Sequence, residues 1–122
     1  MPGRASLRRV LFVEDEPSLK TSYERFFGGR YDMAFAPDGA RATRLLDEFR
    51  PDVLVLDMRL PDTDGIALLQ QIRRSHPQLP VVVTTAYVSM EPLMQVLDLE
   101  HSAYLVKPFD LNDLAARIDA AG

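Results

Sequence analysis

Short apolar runs and amphipathic stretches alternate along the whole chain. The runs are rich in Val, Leu and Ala, which is typical of strands in a parallel sheet that is covered on both faces. We predict strands at Arg9 to Val13, Asp32 to Ala36, Val53 to Leu56, Val81 to Thr84 and Ala103 to Val106. Four of them are apolar enough for burial on both faces. The second is weaker and is predicted to lie at an edge.

The amphipathic stretches predict helices that cover this sheet. Apolar residues recur every three or four positions in most of them, and Gly28 and Pro51 stop the first and the second. The predicted helices are Pro17 to Phe27, Ala40 to Phe49, Ile66 to Ser75, Ser89 to Leu99 and Leu111 to Ala121. The pattern therefore predicts an α/β fold, a doubly wound five-stranded parallel sheet with five covering helices.

Length and composition narrow the possibilities further. A chain of 122 residues with 47% hydrophobic residues fits one domain over 1–122, with residues 1–6 as a flexible tail. The absence of Cys excludes disulfides, thiolate zinc sites and thiol nucleophiles, and it favours a cytoplasmic location. No apolar run approaches the ~20 residues of a membrane span. A net charge of −4 argues against direct nucleic-acid binding.

Polar residues of chemical interest follow the carboxyl ends of the predicted strands, where ligands bind in open parallel sheets. These residues are Glu14, Asp15, Asp57, Thr85 and Lys107. Three acids and one base give such a pocket a charge of about −2, and a hard divalent cation with oxygen ligands would offset it. Mg²⁺ fits this requirement because it binds carboxylates and shares its coordination sphere with phosphoryl groups.

Each residue also has an ordinary interpretation. Glu14 and Asp15 could cap the first helix, Asp57 could be a loop residue, and Lys107 could be a surface lysine. Convergence on one edge of the sheet favours a site. A cis Lys107–Pro108 bond would hold the ammonium over the pocket, although only ~5% of X-Pro bonds are cis. The sequence contains no phosphate-binding glycine loop and no serine-hydrolase elbow.

Several segments, in this order, resemble the receiver domain of two-component response regulators. They are Val10 to Glu16, Leu54 to Gly65, Thr85 to Tyr87 and Tyr104 to Phe109. The resemblance covers nearly the whole chain, roughly Leu7 to Ala120. It implies the strand order 2-1-3-4-5 that such proteins have.

By this resemblance Asp57 is the phosphoacceptor, which receives a phosphoryl group from a sensor histidine kinase, a phosphotransfer protein or a small acyl phosphate. Mg²⁺ would be held directly by Asp15, Asp57 and the backbone carbonyl of Arg59, and through water by Glu14. Lys107 would neutralise charge on the phosphoryl oxygens. The protein would then be a phosphoacceptor that assists its own phosphorylation and dephosphorylation, and not an enzyme acting on other molecules.

The resemblance also implies a switch. Thr85 corresponds to the hydroxyl that binds the new phosphoryl group, and Tyr104 to the aromatic residue that turns inward behind it. The surface formed by the predicted helix over 89–99, the fifth strand and the last helix would then bind an output domain, a partner protein or a second copy of the chain. Glu100 and His101 depart from the Gly-Ala pair usual in the family.

Two alternatives compete with this interpretation. The first is a receiver-like docking module that works without phosphorylation, which the unusual Glu100-His101 turn would suit. The second is a phosphohydrolase of the haloacid dehalogenase type, which also has an aspartyl nucleophile. That class needs a second Asp two residues after the nucleophile, and this chain has Arg59 there.

Overall fold

The computed structural model of the protein describes residues 7–86 and 102–121, and its sheet has five strands, all parallel, in the order β2-β1-β3-β4-β5. The strands are β1 (Arg9–Val13), β2 (Asp32–Ala36), β3 (Val53–Asp57), β4 (Val81–Thr85) and β5 (Ser102–Val106). The helices within the described residues are α1 (Pro17–Phe27), α2 (Gly39–Glu48), α3 (Gly65–Ser75) and α4 (Leu111–Ala120).

This architecture confirms the predicted α/β fold and its strand order. The second strand lies at an edge, as its weaker pattern indicated. The prediction of full burial is wrong for β5, because it forms the opposite edge and its residues 103–106 are only partly buried. Apolar composition therefore overestimated the burial of β5. The predicted helix over 89–99 and the predicted tail over 1–6 lie outside the described residues.

Two apolar clusters, one on each face of the sheet, form the core. On one face, Leu54 and Leu56 of β3 pack with buried residues of α2 and α3. On the other, Val53 and Val55 pack with buried residues of α1 and α4. Because side chains alternate along a strand, each central strand contributes to both clusters, which explains the nearly continuous apolar runs of the sequence.

Three of the described helices begin beside the carboxyl edge of the sheet at an aspartate N-cap. The side chains of Asp38, Asp64 and Asp110 each accept a hydrogen bond from a backbone N–H in the first turn of α2, α3 and α4. The helix α1 ends at Phe27 with Gly28 as its C-cap, as predicted, and Gly29 follows with a positive φ of 81°. In the described part of the chain, no helix combines the length and hydropathy of a membrane span.

Candidate functional site

A lysine bridges two buried carboxylates at the carboxyl edge of the sheet. The Nζ atom of Lys107 donates hydrogen bonds to Asp57 Oδ2 at 3.1 Å and to Glu14 Oε1 at 3.3 Å. Glu14 and Asp57 are only 7% and 4% exposed. Three strands thus bring together residues that are up to 93 positions apart in the chain. The Lys107–Pro108 peptide bond is cis.

An exposed carboxylate completes an acidic cluster. Oxygen atoms of Glu14, Asp15 and Asp57 all lie within 4.8 Å of one another, and Asp15 is open to solvent. Three carboxylates beside open water are the donor set that Mg²⁺ prefers, so the residues fit this ion. The cluster lines an open cleft of ≈ 440 Å³. The cleft is formed by Glu14, Asp15, Glu16, Asp57, Arg59, Leu60, Pro61, Ala86 and Lys107.

Strand register explains why these side chains meet. Val13 of β1 pairs with Leu56 of β3, so the residues that follow them, Glu14 and Asp57, stand at the same level. The N-cap residue of α1 is Glu16, and its backbone N–H donates to Glu14 Oε2 at 3.3 Å, so Glu14 lies beside the start of this helix as well as in the cluster.

The loop after Asp57 is folded tightly against its surroundings. The backbone N–H of Arg59 donates to Asp57 Oδ1 at 3.1 Å, and Arg59 also forms an isolated bridge with Asp64. A Cβ atom at Gly65 would lie 2.6 Å from the Met58 Cα, so glycine is required where α3 begins. These contacts keep the Arg59 backbone beside the acidic cluster.

The sequence analysis missed Asp62, which also holds this loop in place. Its two carboxylate oxygens accept hydrogen bonds from the backbone N–H groups of Gly39 at 2.8 Å and Ala40 at 3.1 Å, and these bonds lower the pKa of Asp62. A Cβ at Gly39 would lie 2.7 Å from Cγ2 of Thr63. The loop is therefore fastened to the first turn of α2. No local pattern links positions 39 and 62.

The two residues predicted to form the switch lie on the other face of the sheet from Asp57. Tyr104 pairs with Val83 and packs against the cluster between the sheet and α2 and α3. Strand alternation turns Thr85, which is 1% exposed, to the same face as Val83. Thr84 pairs in register with Asp57 and shares its face. The structure therefore groups Glu14, Asp15, Asp57, Arg59 and Lys107 around the cleft, with Thr85 and Tyr104 behind it.

Comparison with known proteins gives the family. The family model that describes the response regulator receiver domain matches residues 10–119, which is nearly the whole chain. This chain belongs to the response regulator receiver family.

Relatives of this receiver domain are found among longer proteins and among solved structures. Response regulator MprA of Mycobacterium leprae (strain TN) is 39% identical over 114 residues, which cover 92% of this chain and 50% of that protein. The DNA-binding transcriptional regulator NtrC of Escherichia coli (strain K12) is 34% identical over 113 residues, which cover 92% of this chain and 24% of that protein. The chain thus spans about half or a quarter of these relatives' length.

A solved structure matches over most of the length of both chains. The receiver domain of the Francisella response regulator 1452 aligns with a TM-score of 0.82 and 30% identity, covering 92% of this chain and 93% of that one. Receiver domains are phosphoacceptor signalling domains of two-component systems and not classical enzymes. The family assignment therefore disfavours the phosphohydrolase alternative.

Burial changes the electrostatics of the receiver site. Desolvation, a hydrogen bond with Asp57 and the negative charge of Asp57 raise the pKa of Glu14 to about 8. Burial favours the neutral amine of Lys107, but the charges of Asp57 and Glu14 outweigh it and raise the pKa of Lys107 above its usual value. In the absence of a metal, the raised pKa of Glu14 favours its protonated carboxyl, so the pocket carries less negative charge than the count of residues suggests.

Proposed function

We propose that this receiver domain accepts a phosphoryl group on Asp57, in a Mg²⁺-dependent reaction, from a cytoplasmic sensor histidine kinase or phosphotransfer protein. The observation that carries the proposal is the arrangement around Asp57. Its buried carboxylate is held by the Lys107 ammonium at 3.1 Å, and the oxygens of Glu14 and Asp15 lie within 4.8 Å. A nucleophile, a fixed positive charge and a set of metal ligands therefore share one cleft.

The transfer requires little beyond positioning and charge neutralisation. A carboxylate oxygen of Asp57 attacks phosphorus, and the new O–P bond forms while the bond from phosphorus to the donor breaks. The donor atom leaves with the electron pair of that bond. Lys107 offsets the negative charge on the phosphoryl oxygens, and the Arg59 N–H orients Asp57 through its hydrogen bond to Oδ1.

The acidic residues have separate roles in holding the ion. Asp15, Asp57 and the backbone carbonyl of Arg59 would bind Mg²⁺ directly, and Glu14 would bind it through water. The bound ion supplies the positive charge that balances the acidic cluster and the incoming phosphoryl oxygens. Asp15 leaves one side of this donor set open to solvent, through which a phosphoryl donor can approach.

Phosphorylation then acts as a switch. The phosphoryl group adds a charge of about −1.5 to −2 and three acceptor oxygens. The Thr85 hydroxyl turns toward it, and Tyr104, on the same face of the sheet as Thr85, moves inward. The surface formed by β5, α4 and the predicted helix over 89–99 changes as a result. We propose that an output domain, a partner protein or a second copy of the chain binds this surface.

The first experiment measures the mass of the intact protein after incubation with acetyl phosphate and Mg²⁺. We expect a gain of one phosphoryl group that disappears in Asp57→Asn and in the presence of a chelator. Asp64→Asn is the matched control, because it removes a carboxylate from the same loop while Asn still caps α3. It should be phosphorylated like the parent. No gain in the parent, with Mg²⁺ shown to bind, would favour a docking module independent of phosphorylation.

The proposed binding surface has its own test. Light scattering of the phosphorylated and unphosphorylated protein distinguishes self-association from binding to another partner. We expect a larger mass after phosphorylation. A monomer in both states would exclude the second copy as the partner and leave an output domain or another protein.

A further inference from the structure

A buried hydroxyl beside the phosphoacceptor has no role in the function proposed so far. Thr84 is 1% exposed, and its Oγ1 atom has no hydrogen-bond partner among the residues that the structure describes. Burying a hydroxyl without a partner is unfavourable, so a valine of the same shape would be more stable at this position. The position of Thr84 in the sheet indicates what the hydroxyl can do.

Thr84 stands directly between the acceptor and the lysine. Its strand, β4, lies between β3 and β5, and Thr84 pairs with Asp57 on one side and with Leu105 on the other. Paired residues of parallel strands share a face and lie on strands ~4.8 Å apart. Lys107 follows Leu105 by two positions and therefore also shares this face. The ion pair between Lys107 and Asp57 thus spans β4 over Thr84.

The hydrogen bonds of the unphosphorylated site explain why the Thr84 hydroxyl has no partner among the described residues. Asp57 Oδ2 already accepts the Lys107 ammonium, and Asp57 Oδ1 accepts the Arg59 N–H. Once a phosphoryl group is attached, Lys107 is needed at the phosphoryl oxygens instead. The Thr84 hydroxyl is then the neighbouring donor on the Asp57 face.

We propose that Thr84 is a catalytic residue for the loss of the phosphoryl group, an inference that rests on the function proposed above. In this step a water oxygen attacks phosphorus, and the bond from phosphorus to the Asp57 oxygen breaks. The electron pair returns to that oxygen, which regains its carboxylate charge, and the water proton leaves with inorganic phosphate. The Thr84 hydroxyl donates a hydrogen bond to this oxygen as its charge grows, which stabilises the transition state more than the phosphorylated state.

The test compares the decay of phosphorylated Thr84→Val with that of the parent. Both proteins are phosphorylated with acetyl phosphate and Mg²⁺, freed of the phosphate donor, and followed by intact mass. We expect the half-life of phosphorylated Thr84→Val to be longer by roughly three- to tenfold, the factor that one hydrogen bond contributes. Thr84→Ser, which keeps the hydroxyl, should decay like the parent.

A second buried hydroxyl provides a matched control. The Tyr23 hydroxyl also has no partner among the described residues, but it belongs to α1 and its ring stacks on Phe12 at 4.8 Å. Burial and the charges of Glu14 and Asp57 raise the pKa of Tyr23, so its hydroxyl lies near the acidic cluster but on the covering helix and not on β4. Tyr23→Phe should not change the half-life. In both Thr84→Val and Tyr23→Phe, the urea midpoint of unfolding should be unchanged or higher, which separates the kinetic effect from loss of structure.

Other outcomes would overturn the inference. An unchanged or shorter half-life in Thr84→Val would show that the hydroxyl does not act on Asp57. A longer half-life in both Thr84→Val and Thr84→Ser would assign the effect to packing. If Thr84→Val does not fold, Thr84→Ala makes the same comparison. A parent protein that gains no phosphoryl group would overturn the proposed function and this inference together, whereas equal decay of two phosphorylated proteins overturns this inference alone.

Discussion

Ion pairs of similar length occur at the carboxyl ends and at the amino ends of the strands, in different surroundings. At the carboxyl edge, Lys107 lies 3.1 Å from Asp57 and 3.3 Å from Glu14, and the side chains are 25%, 6% and 3% exposed. At the amino edge, Arg9 lies 3.1 Å from Asp32, and these side chains are 41% and 49% exposed. Equal distances therefore do not imply equal energies, because water screens the exposed pair.

The two edges also differ in charge balance. Arg9 and Asp32 form an equal pair, whereas Lys107 faces two buried carboxylates, with a third on Asp15 nearby. An exposed pair of opposite charges that balance each other adds little to stability and leaves no net charge for a ligand to offset. A buried unequal cluster binds a proton or a cation more strongly. The carboxyl edge is thus suited to binding a cation, whereas the charges of the pair at the amino edge already balance each other.

The largest expected effect comes from removing the buried cation. Lys107→Met leaves the carboxylates of Glu14 and Asp57 without their partner, and we expect it to lower the free energy of unfolding by about 3 kcal/mol at alkaline pH. At pH values near 5 the loss should be smaller, because Glu14 is then protonated. Urea denaturation at both pH values measures this. Lys20→Met, at an exposed position on α1, is the control and should cost less than about 1 kcal/mol.

The next prediction uses the raised pKa of Glu14. Folding raises the pKa of Glu14 from 4.5 to about 8. Protonation of Glu14 therefore stabilises the metal-free fold fully below pH 4.5, and this stabilisation is lost as the pH rises through about 8. Mg²⁺ favours the ionised form. Its affinity should therefore rise by up to about tenfold per pH unit between roughly pH 6 and 8. Calorimetric titration measures the slope, and Glu14→Gln should flatten it. A slope that Glu14→Gln leaves unchanged would contradict this linkage.

A smaller effect is expected at a hydrogen bond between a buried tyrosine and an aspartate, far from the cleft. The Tyr31 hydroxyl donates to Asp119 Oδ1 at 2.6 Å, and the ring is almost fully buried. Tyr31→Phe should lower the free energy of unfolding by about 1 kcal/mol. Burial, together with Asp119, raises the pKa of Tyr31 to about 12, so this contribution is complete below pH 10 and is lost as pH rises through the higher value. Denaturation curves at neutral pH test the substitution, and equal stability would contradict it.

The smallest effect is expected for an exposed pair on the same aspartate. Arg30 lies 3.0 Å from Asp119, but both side chains are about half exposed. Arg30→Met should change the free energy of unfolding by no more than about 0.5 kcal/mol, and high salt should abolish the difference. A change as large as that of Tyr31→Phe would mean that exposure does not separate the two kinds of contact.

The sequence was sufficient to predict the sheet and the grouping of charges at its carboxyl edge. Parallel strands all end at one edge, which placed Glu14, Asp57 and Lys107 on the same side of the sheet, and the family resemblance supplied the strand order. The alternation of side chains along β4 could also be predicted, since Thr84 and Thr85 must face opposite sides of the sheet. What each of the two hydroxyls contacts depends on the register with β3, which periodicity does not specify.

Other features depend on packing in three dimensions. The burial of Glu14, and hence its raised pKa, depends on how the cleft is covered and not on local composition. The bonds from Asp62 to Gly39 and Ala40 join segments 22 and 23 residues apart, with no local motif to signal them. The partial burial of β5 likewise follows from its place at an edge.

The Asp62 anchor offers a spectroscopic probe. The amide protons of Gly39 and Ala40 are bonded to a side chain of the loop that follows Asp57. In an NMR spectrum, their chemical shifts and their exchange with solvent therefore report on a loop about twenty residues away in the sequence. Any movement of that loop would be recorded at the start of α2 by two backbone signals, without a label near the acidic cluster.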